Sequence, residues 1–465
     1  MKHIFHAGIA ATSIHPSSEM IYRSLHHNMT VRFDQQGSEM FTKVLVMSLE
    51  NQVAVIVTLD LVVMYTEQAI LLRQQIADQL GLRIDQIVVH CTHSHSTPFP
   101  EPLTGPHPFM DYIVSQTICA AKQAWLSRQP ARVGYGETYA VGASFNTDIP
   151  LRDGRVKMTR DFREGLASGE PIDPRLSIIR IDDAKGFPMA GWVRFAAHPA
   201  CVIFNTPVSA EYPGYMTQRI SKVFNDIPVL FACGSSGDVN YIPMFGTEQQ
   251  CEILGDQLAD LVINEFRTIC TDEPAFLASG NLTIDLPLEA PPSTETLEHE
   301  IEEIDTFMRE IEKNPELEWA MGINCGKEWS IDKKKKHYID LKKWALKTID
   351  RIRSGYEFPT ACTSVIGILV VDGIALVYYP GEPYVQLGLE LSVKSPFEQT
   401  FLMSLGNGLR GYLCTKRIRE RINYQGYSFV RYFEEKGTNP LPYTPHAADI
   451  MIQKTIEYLR KLRKE

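Results

Sequence analysis

Ile87-Val88-Val89-His90-Cys91-Thr92-His93-Ser94-His95-Ser96-Thr97-Pro98 is the stretch that decides how this chain is read. An apolar, β-branched run predicts a buried strand, and it stops on a His-x-His pair followed by proline. Residues two apart on an extended segment point to the same side, so His93 and His95 can converge on one point at an accessible strand end. Imidazole is the commonest protein ligand for zinc, which makes the pair a candidate metal site. Taken alone, the pair fits equally well with histidines that cap a strand or bond a neighbouring loop.

The same alternation of strand and helix runs outward from this stretch. Val44-Leu45-Val46-Met47 and Val53-Ala54-Val55-Ile56-Val57 read as paired strands turning at Glu50-Asn51. A helix follows from Thr66, with Leu72 and Ile76 among its apolar positions and Gly81 as its cap. Further along, Trp192-Val193-Arg194-Phe195-Ala196-Ala197 runs into His198-Pro199, and Val229-Leu230-Phe231-Ala232-Cys233 opens into Gly234-Ser235-Ser236-Gly237-Asp238. Asp372-Gly373 between two apolar runs predicts a hairpin. Between about Pro291 and Gly355 the apolar positions switch to helical period among many charges, which predicts an inserted helical hairpin. The run Lys333 to Lys336 within it reads as a solvated face. The expected fold is α/β: a layered mixed β-sheet core flanked by helices, with residues 1–465 forming a single catalytic domain and 291–355 the insertion.

Composition narrows the function class. Of the 465 residues, 44% are apolar and 22% charged, which are globular values. A net charge of −10 argues against nucleic-acid binding and against a cationic membrane-surface protein. No apolar run approaches the roughly 20 residues that span a bilayer, so no integral membrane association is expected. The opening residues, Met1 to Gly8, lack a hydrophobic signal core, and a cytoplasmic location is expected. Nine scattered cysteines without a Cys-x-x-Cys pair predict reduced core thiols. The partner is expected to be a small-molecule substrate.

Strand ends supply a set of metal-ligating groups. His93 and His95 come from one, His198 from another, and Glu382 from the Pro380-Gly381-Glu382-Pro383 loop after the hairpin. Catalytic zinc usually takes three protein ligands, often His and Glu, and keeps a position open for water. His198-Pro199 can also be a simple strand stop, and Pro-Gly-Glu-Pro a rigid turn; their joint occurrence favours the metal.

With these motifs the chain resembles the neutral, non-lysosomal ceramidase family, in its zinc-bearing catalytic domain. Thr92-His93-Ser94-His95-Ser96 is similar to the family's T-H-T-H-S signature, and Ala197-His198-Pro199 sits where the family has its second histidine ligand. Ser209-Ala210-Glu211-Tyr212-Pro213-Gly214-Tyr215, Pro380-Gly381-Glu382-Pro383 and Asn407-Gly408-Leu409-Arg410-Gly411-Tyr412 resemble further family segments in order. The resemblance spans about Gly8 to Tyr427. It implies a Zn2+ held by His93, His198, Glu382 and Tyr412. It implies that His95 faces the substrate or the developing oxyanion rather than ligating, with Tyr412 and Tyr424 as further catalytic groups. Gly237, Asp238, Asn240, Asn146 and Tyr427 are expected to contact substrate.

Departures from the family pattern bear on the substrate. Asn240 stands where the family has serine, and Asn146-Thr147 where it has an asparagine-arginine pair. Ser13 stands where an aspartate is usual, and no counterpart of the C-terminal immunoglobulin-like domain is recognised. The expectation is a zinc-dependent hydrolase acting on an amide bond. The alternatives are a zinc esterase, lactonase or sugar deacylase; a serine hydrolase using Gly234-Ser235-Ser236-Gly237; and a non-catalytic metal-binding protein.

Overall fold

A computed structural model describes residues 4–17, 21–24, 30–32, 37–100, 108–202, 208–327, 329–433 and 439–464. Eight strands form the larger sheet, in the order Val229–Cys233, Pro188–Phe195, Arg175–Asp183, Gln129–Tyr139, His6–Ser13, Phe41–Leu49, Gln52–Leu59 and Ile87–Cys91. A second sheet runs Leu277–Pro287, Ala361–Val371, Ile374–Tyr378, Gln399–Met403. Both sheets are mixed, as the sequence predicts.

Side-chain alternation explains how the sheets stack. Successive residues on a strand point to opposite faces. Leu45, Met47, Ile56 and Val88 of the larger sheet therefore turn inward and meet Leu369, Val371, Leu376 and Met403 of the second, in one shared core. Val44, Val46, Val55 and Val89 turn outward against helices Thr66–Leu80 and Pro108–Leu126. Helices Glu211–Val223 and Glu248–Phe266 cover the rest of that outer face. Ile366, Ile368 and Val377 face outward from the second sheet onto Ile331–Arg353, Val385–Lys394 and Ala447–Leu462. The result is four layers, helix–sheet–sheet–helix. Each fully buried aliphatic side chain at these positions contributes about 1.5–3 kcal/mol.

Three strand pairs are parallel, each joined by a helical crossover. They are Gln52–Leu59 with Ile87–Cys91, Pro188–Phe195 with Val229–Cys233, and Ile374–Tyr378 with Gln399–Met403. Their carboxyl ends meet: isolated bridges join His90 to Gly406 and Gly234 to Met403 across the two sheets. Ligands in α/β sheets bind beyond the carboxyl ends of parallel strands, so this meeting point is where a site belongs.

The segment between Leu277–Pro287 and Ala361–Val371, two paired strands, holds helices Thr294–Glu310 and Ile331–Arg353 packed on each other. Ser293 and Ser330 cap them, each side-chain oxygen accepting from the backbone N–H three residues on. The lysine run inside this hairpin corrects the sequence reading. Lys334 is fully buried, and its ammonium donates to the carbonyls of Pro315 and Leu317 at 2.9 and 3.1 Å. Consecutive helical residues turn by about 100°, so four in a row cannot share one solvated face. Among the described residues no helix is long and apolar enough to cross a membrane.

Candidate metal centre

His93, His95 and His198 come together at the strand ends, their ligating nitrogens all within 4.8 Å of one another. Backbone carbonyls set the two buried rings. His93 Nδ1 lies 2.7 Å from the Val62 carbonyl, and His198 Nδ1 lies 2.6 Å from that of Ser236. A carbonyl can only accept, so each Nδ1 carries a hydrogen, which leaves the Nε2 lone pair of each ring for a metal. Both lone pairs aim at Glu382: its Oε2 is 3.2 Å from His93 Nε2 and 3.0 Å from His198 Nε2. His95 Nε2 is 3.4 Å from His93 Nε2.

Acceptors crowded this closely repel unless a cation lies between them. Zinc bonds of about 2.0–2.1 Å place tetrahedral ligands roughly 3.3 Å apart. The spacings here match that figure, so the donor set fits a zinc ion in number, softness and separation. His95 differs from the other two in being half-exposed, whereas His93, His198 and Glu382 are 4, 6 and 3% exposed.

The loop that carries Glu382 depends on close backbone approach. Glu382 and Tyr412 are direct partners in a short parallel pairing, and Glu382 N donates to the Gly411 carbonyl at 3.0 Å. A Cβ on Gly381 would lie 2.4 Å from that same carbonyl, so glycine is required there. Direct partners project to one side of a ladder, which brings the Tyr412 side chain alongside Glu382. Its half-buried ring meets Phe429 edge-on at 4.8 Å.

Other expected site residues also make bonds within the protein. Asn146 donates to Asp238 Oδ2 at 2.8 Å and to the Pro171 carbonyl at 2.9 Å, and its own oxygen accepts from Asp148 N. The second Asp238 oxygen accepts from Val385 N. Both side chains bond within the protein and tie the strand Ser144–Asn146 to the segment that follows Glu382. Gly237 N donates to the Pro383 carbonyl, and a Cβ there would strike the Glu382 carbonyl at 2.6 Å; it serves backbone approach. Tyr427 donates to Glu300 of the inserted hairpin at 2.7 Å, and Tyr424 stacks on the hairpin's His337. Asn240 does sit beside the centre, bridged to His198, with its amide N–H on Met244 sulfur. Its carboxamide oxygen is buried without a hydrogen-bond partner.

The glycine-serine loop offers no nucleophile elbow. Ser235 and Ser236 are fully buried, the Ser236 hydroxyl bonds Cys233 sulfur, and Ser235 packs under Gly388. His90, the first histidine of the motif, is structural: it accepts from Cys233 N, and burial pushes it down to about 3. Unread from sequence were Tyr384 and Asp148, joined by a buried 2.7 Å hydrogen bond two residues beyond Glu382.

No family model matches the sequence, and no curated protein does. Among solved structures, the whole chain is similar to the neutral ceramidase from Pseudomonas aeruginosa, with a TM-score of 0.69 at 14% identity over 75% of that chain. It is similar to the same degree, TM-score 0.69 and 14% identity, to a ceramidase complexed with C2, over 76% of that chain. The fold is therefore ceramidase-like.

Proposed function

We propose that this protein is a zinc-dependent hydrolase that cleaves an amide bond in a small-molecule substrate, acting in the cytoplasm as one catalytic domain with 291–355 as an insertion. The observation that carries the reading is the meeting of His93, His198 and Glu382, three lone-pair donors that need a cation between them. Zinc supplies a water with a pKa of roughly 7 and a polarised carbonyl, so no protein nucleophile is required. His93, His198 and Glu382 hold the ion, with Tyr412 beside them. His95, the half-exposed imidazole, is placed to hold or pass a proton at Nε2 on the substrate side. Asn240 is a candidate for substrate contact, and Tyr412 and Tyr424 for further catalytic groups.

Ceramide, named for the similar solved structures, is not the substrate we assign. Thr147 stands in place of an arginine and spends its hydroxyl on the Asp238 carbonyl, and Asn240 stands in place of a serine. Two missing polar contacts at about 1–3 kcal/mol each amount to roughly 10²-fold or more in kcat/KM.

Elemental analysis of purified protein, with hydrolysis assays on short N-acyl compounds and ceramide with and without chelator, tests the reading. Close to one zinc per chain and chelator-sensitive turnover of the short substrates are expected, with ceramide at least about 10²-fold slower. Metal-free protein, or zinc content that survives the combined His93→Ala and His198→Ala changes, would overturn it.

A further inference from the structure

The two histidine-bearing loops follow different strands, yet one carboxyl group holds both. Glu211 is completely buried. Its Oε1 accepts from Ser96 N at 3.0 Å and from Ser96 Oγ at 3.1 Å. Its Oε2 accepts from Cys201 N at 2.5 Å. Ser96 directly follows His95, and Cys201 lies three residues beyond His198. Bonds around this clamp reinforce it: His95 N donates to the Pro199 carbonyl, Ser209 N to the Ser96 carbonyl, and Ser94 Oγ to the Ala210 carbonyl.

The backbone at Glu211 shows that the position is built rather than incidental. Its φ is +52°, in the left-handed region that a long side chain occupies at a cost, and it opens helix Glu211–Val223 there. Such a conformation persists only when the surroundings over-determine it. Here they do, because Ser209 Oγ accepts from Glu211 N and the carboxyl oxygens meet three donors. An aspartate would be one methylene too short to reach both loops. A glutamine would turn an N–H₂ toward Ser96 or toward Cys201 N, setting donor against donor.

From this geometry we propose that Glu211 is the positioning residue of the metal centre. It touches no ligand, but it fixes the separation of the His93–His95 loop from the His198 loop, and so the spacing at which their nitrogens meet. The inference rests on reading His93, His198 and Glu382 as a metal centre.

Cobalt(II) titration tests it, because the visible absorption of the bound ion reports coordination geometry without any turnover. Folding is checked by circular dichroism, and affinity by competition with a chromophoric chelator. Groups that orient metal ligands typically carry 10–100-fold in affinity. Glu211→Gln should stay folded, lose at least about 10-fold in cobalt and zinc affinity, and show an altered cobalt spectrum. Ser96→Ala, at a half-exposed site, removes one of the three bonds and should shift affinity in the same direction by a smaller factor. Should the glutamine variant fail to fold, Ser96→Ala carries the test with the same two readouts. A folded variant with wild-type affinity and spectrum would overturn the proposal and leave Glu211 a structural brace. Wild-type protein that binds neither metal would overturn the metal reading itself, and the positioning role with it.

Discussion

The two halves of the metal centre are built on different plans. On the histidine side, each buried ring is tied at Nδ1 to a main-chain carbonyl, and the backbone is held in the left-handed region at His93. On the carboxylate side, Glu382 Oε2 meets the imidazoles of His93 and His198, and its loop is fixed from beneath by Asp238, Asp148 and Tyr384. Aim is thus set ring by ring on one side and by a buried polar floor on the other. Rings need orientation because only one nitrogen can ligate, whereas a carboxylate offers two oxygens and tolerates rotation.

That difference has consequences for what each substitution does. Either His198→Ala or Glu382→Gln should strip the metal on dialysis and abolish turnover. The metal-free proteins should then diverge. His198→Ala opens a cavity and strips the buried Ser236 carbonyl of its imidazole donor, and should lower stability by about 1–3 kcal/mol. Glu382→Gln removes the charge while keeping shape, and should unfold in urea at or above the wild-type midpoint when chelator is present. Equal losses for both would show that the two sides are not built differently.

His95 sharpens the comparison, since it shares the histidine loop but not the burial. His95→Ala should keep the metal at wild-type stoichiometry and lose roughly 10²-fold in kcat, the scale of a removed proton-transfer or oxyanion group. Its ring nitrogen is 3.4 Å from that of His93, near enough to ligate, so loss of metal would move it into the coordination sphere instead.

The histidine side was legible in the sequence because its signal is local. A β-branched run that halts at His-x-His states both strand and site, and His198-Pro199 repeats the statement on another strand. Glu382 was legible through its rigid loop. The acceptors at Val62 and Ser236 were not, since any residue supplies a carbonyl and only the fold decides which one arrives. Asn146 and Asp238 were expected to contact substrate through the family resemblance, which does not reveal their bonds to one another. Pairing of Ser144–Asn146 with Val239–Tyr241, segments remote in sequence, brings the two together. Glu211 stood in a quoted segment, yet nothing local reveals that two distant loops converge on it.

The smallest expected effect concerns the buried floor of the carboxylate side. Burial, together with the neighbouring Asp238 carboxylate, pushes Asp148 up to about 7. Tyr384 and Gln425 donate to it, which favours the charged form but does not offset the burial. An unfolded aspartate titrates near 4. Between pH of about 4 and 7 the native state therefore keeps a proton that the unfolded chain has lost, and this group makes stability fall as pH rises through that window. One proton sets a ceiling of about 1.4 kcal/mol per pH unit on the slope. Asp148→Asn removes the titration while preserving an oxygen for Tyr384. Its new amide can donate to Gln425 Oε1, a buried oxygen without a hydrogen-bond partner. Urea midpoints at pH 5 and pH 8 should therefore lie closer together in the variant than in the wild type, with metal affinity unchanged. An unaltered gap would mean that Asp148 is already ionised throughout, and that the floor is held by charge rather than by a shared proton.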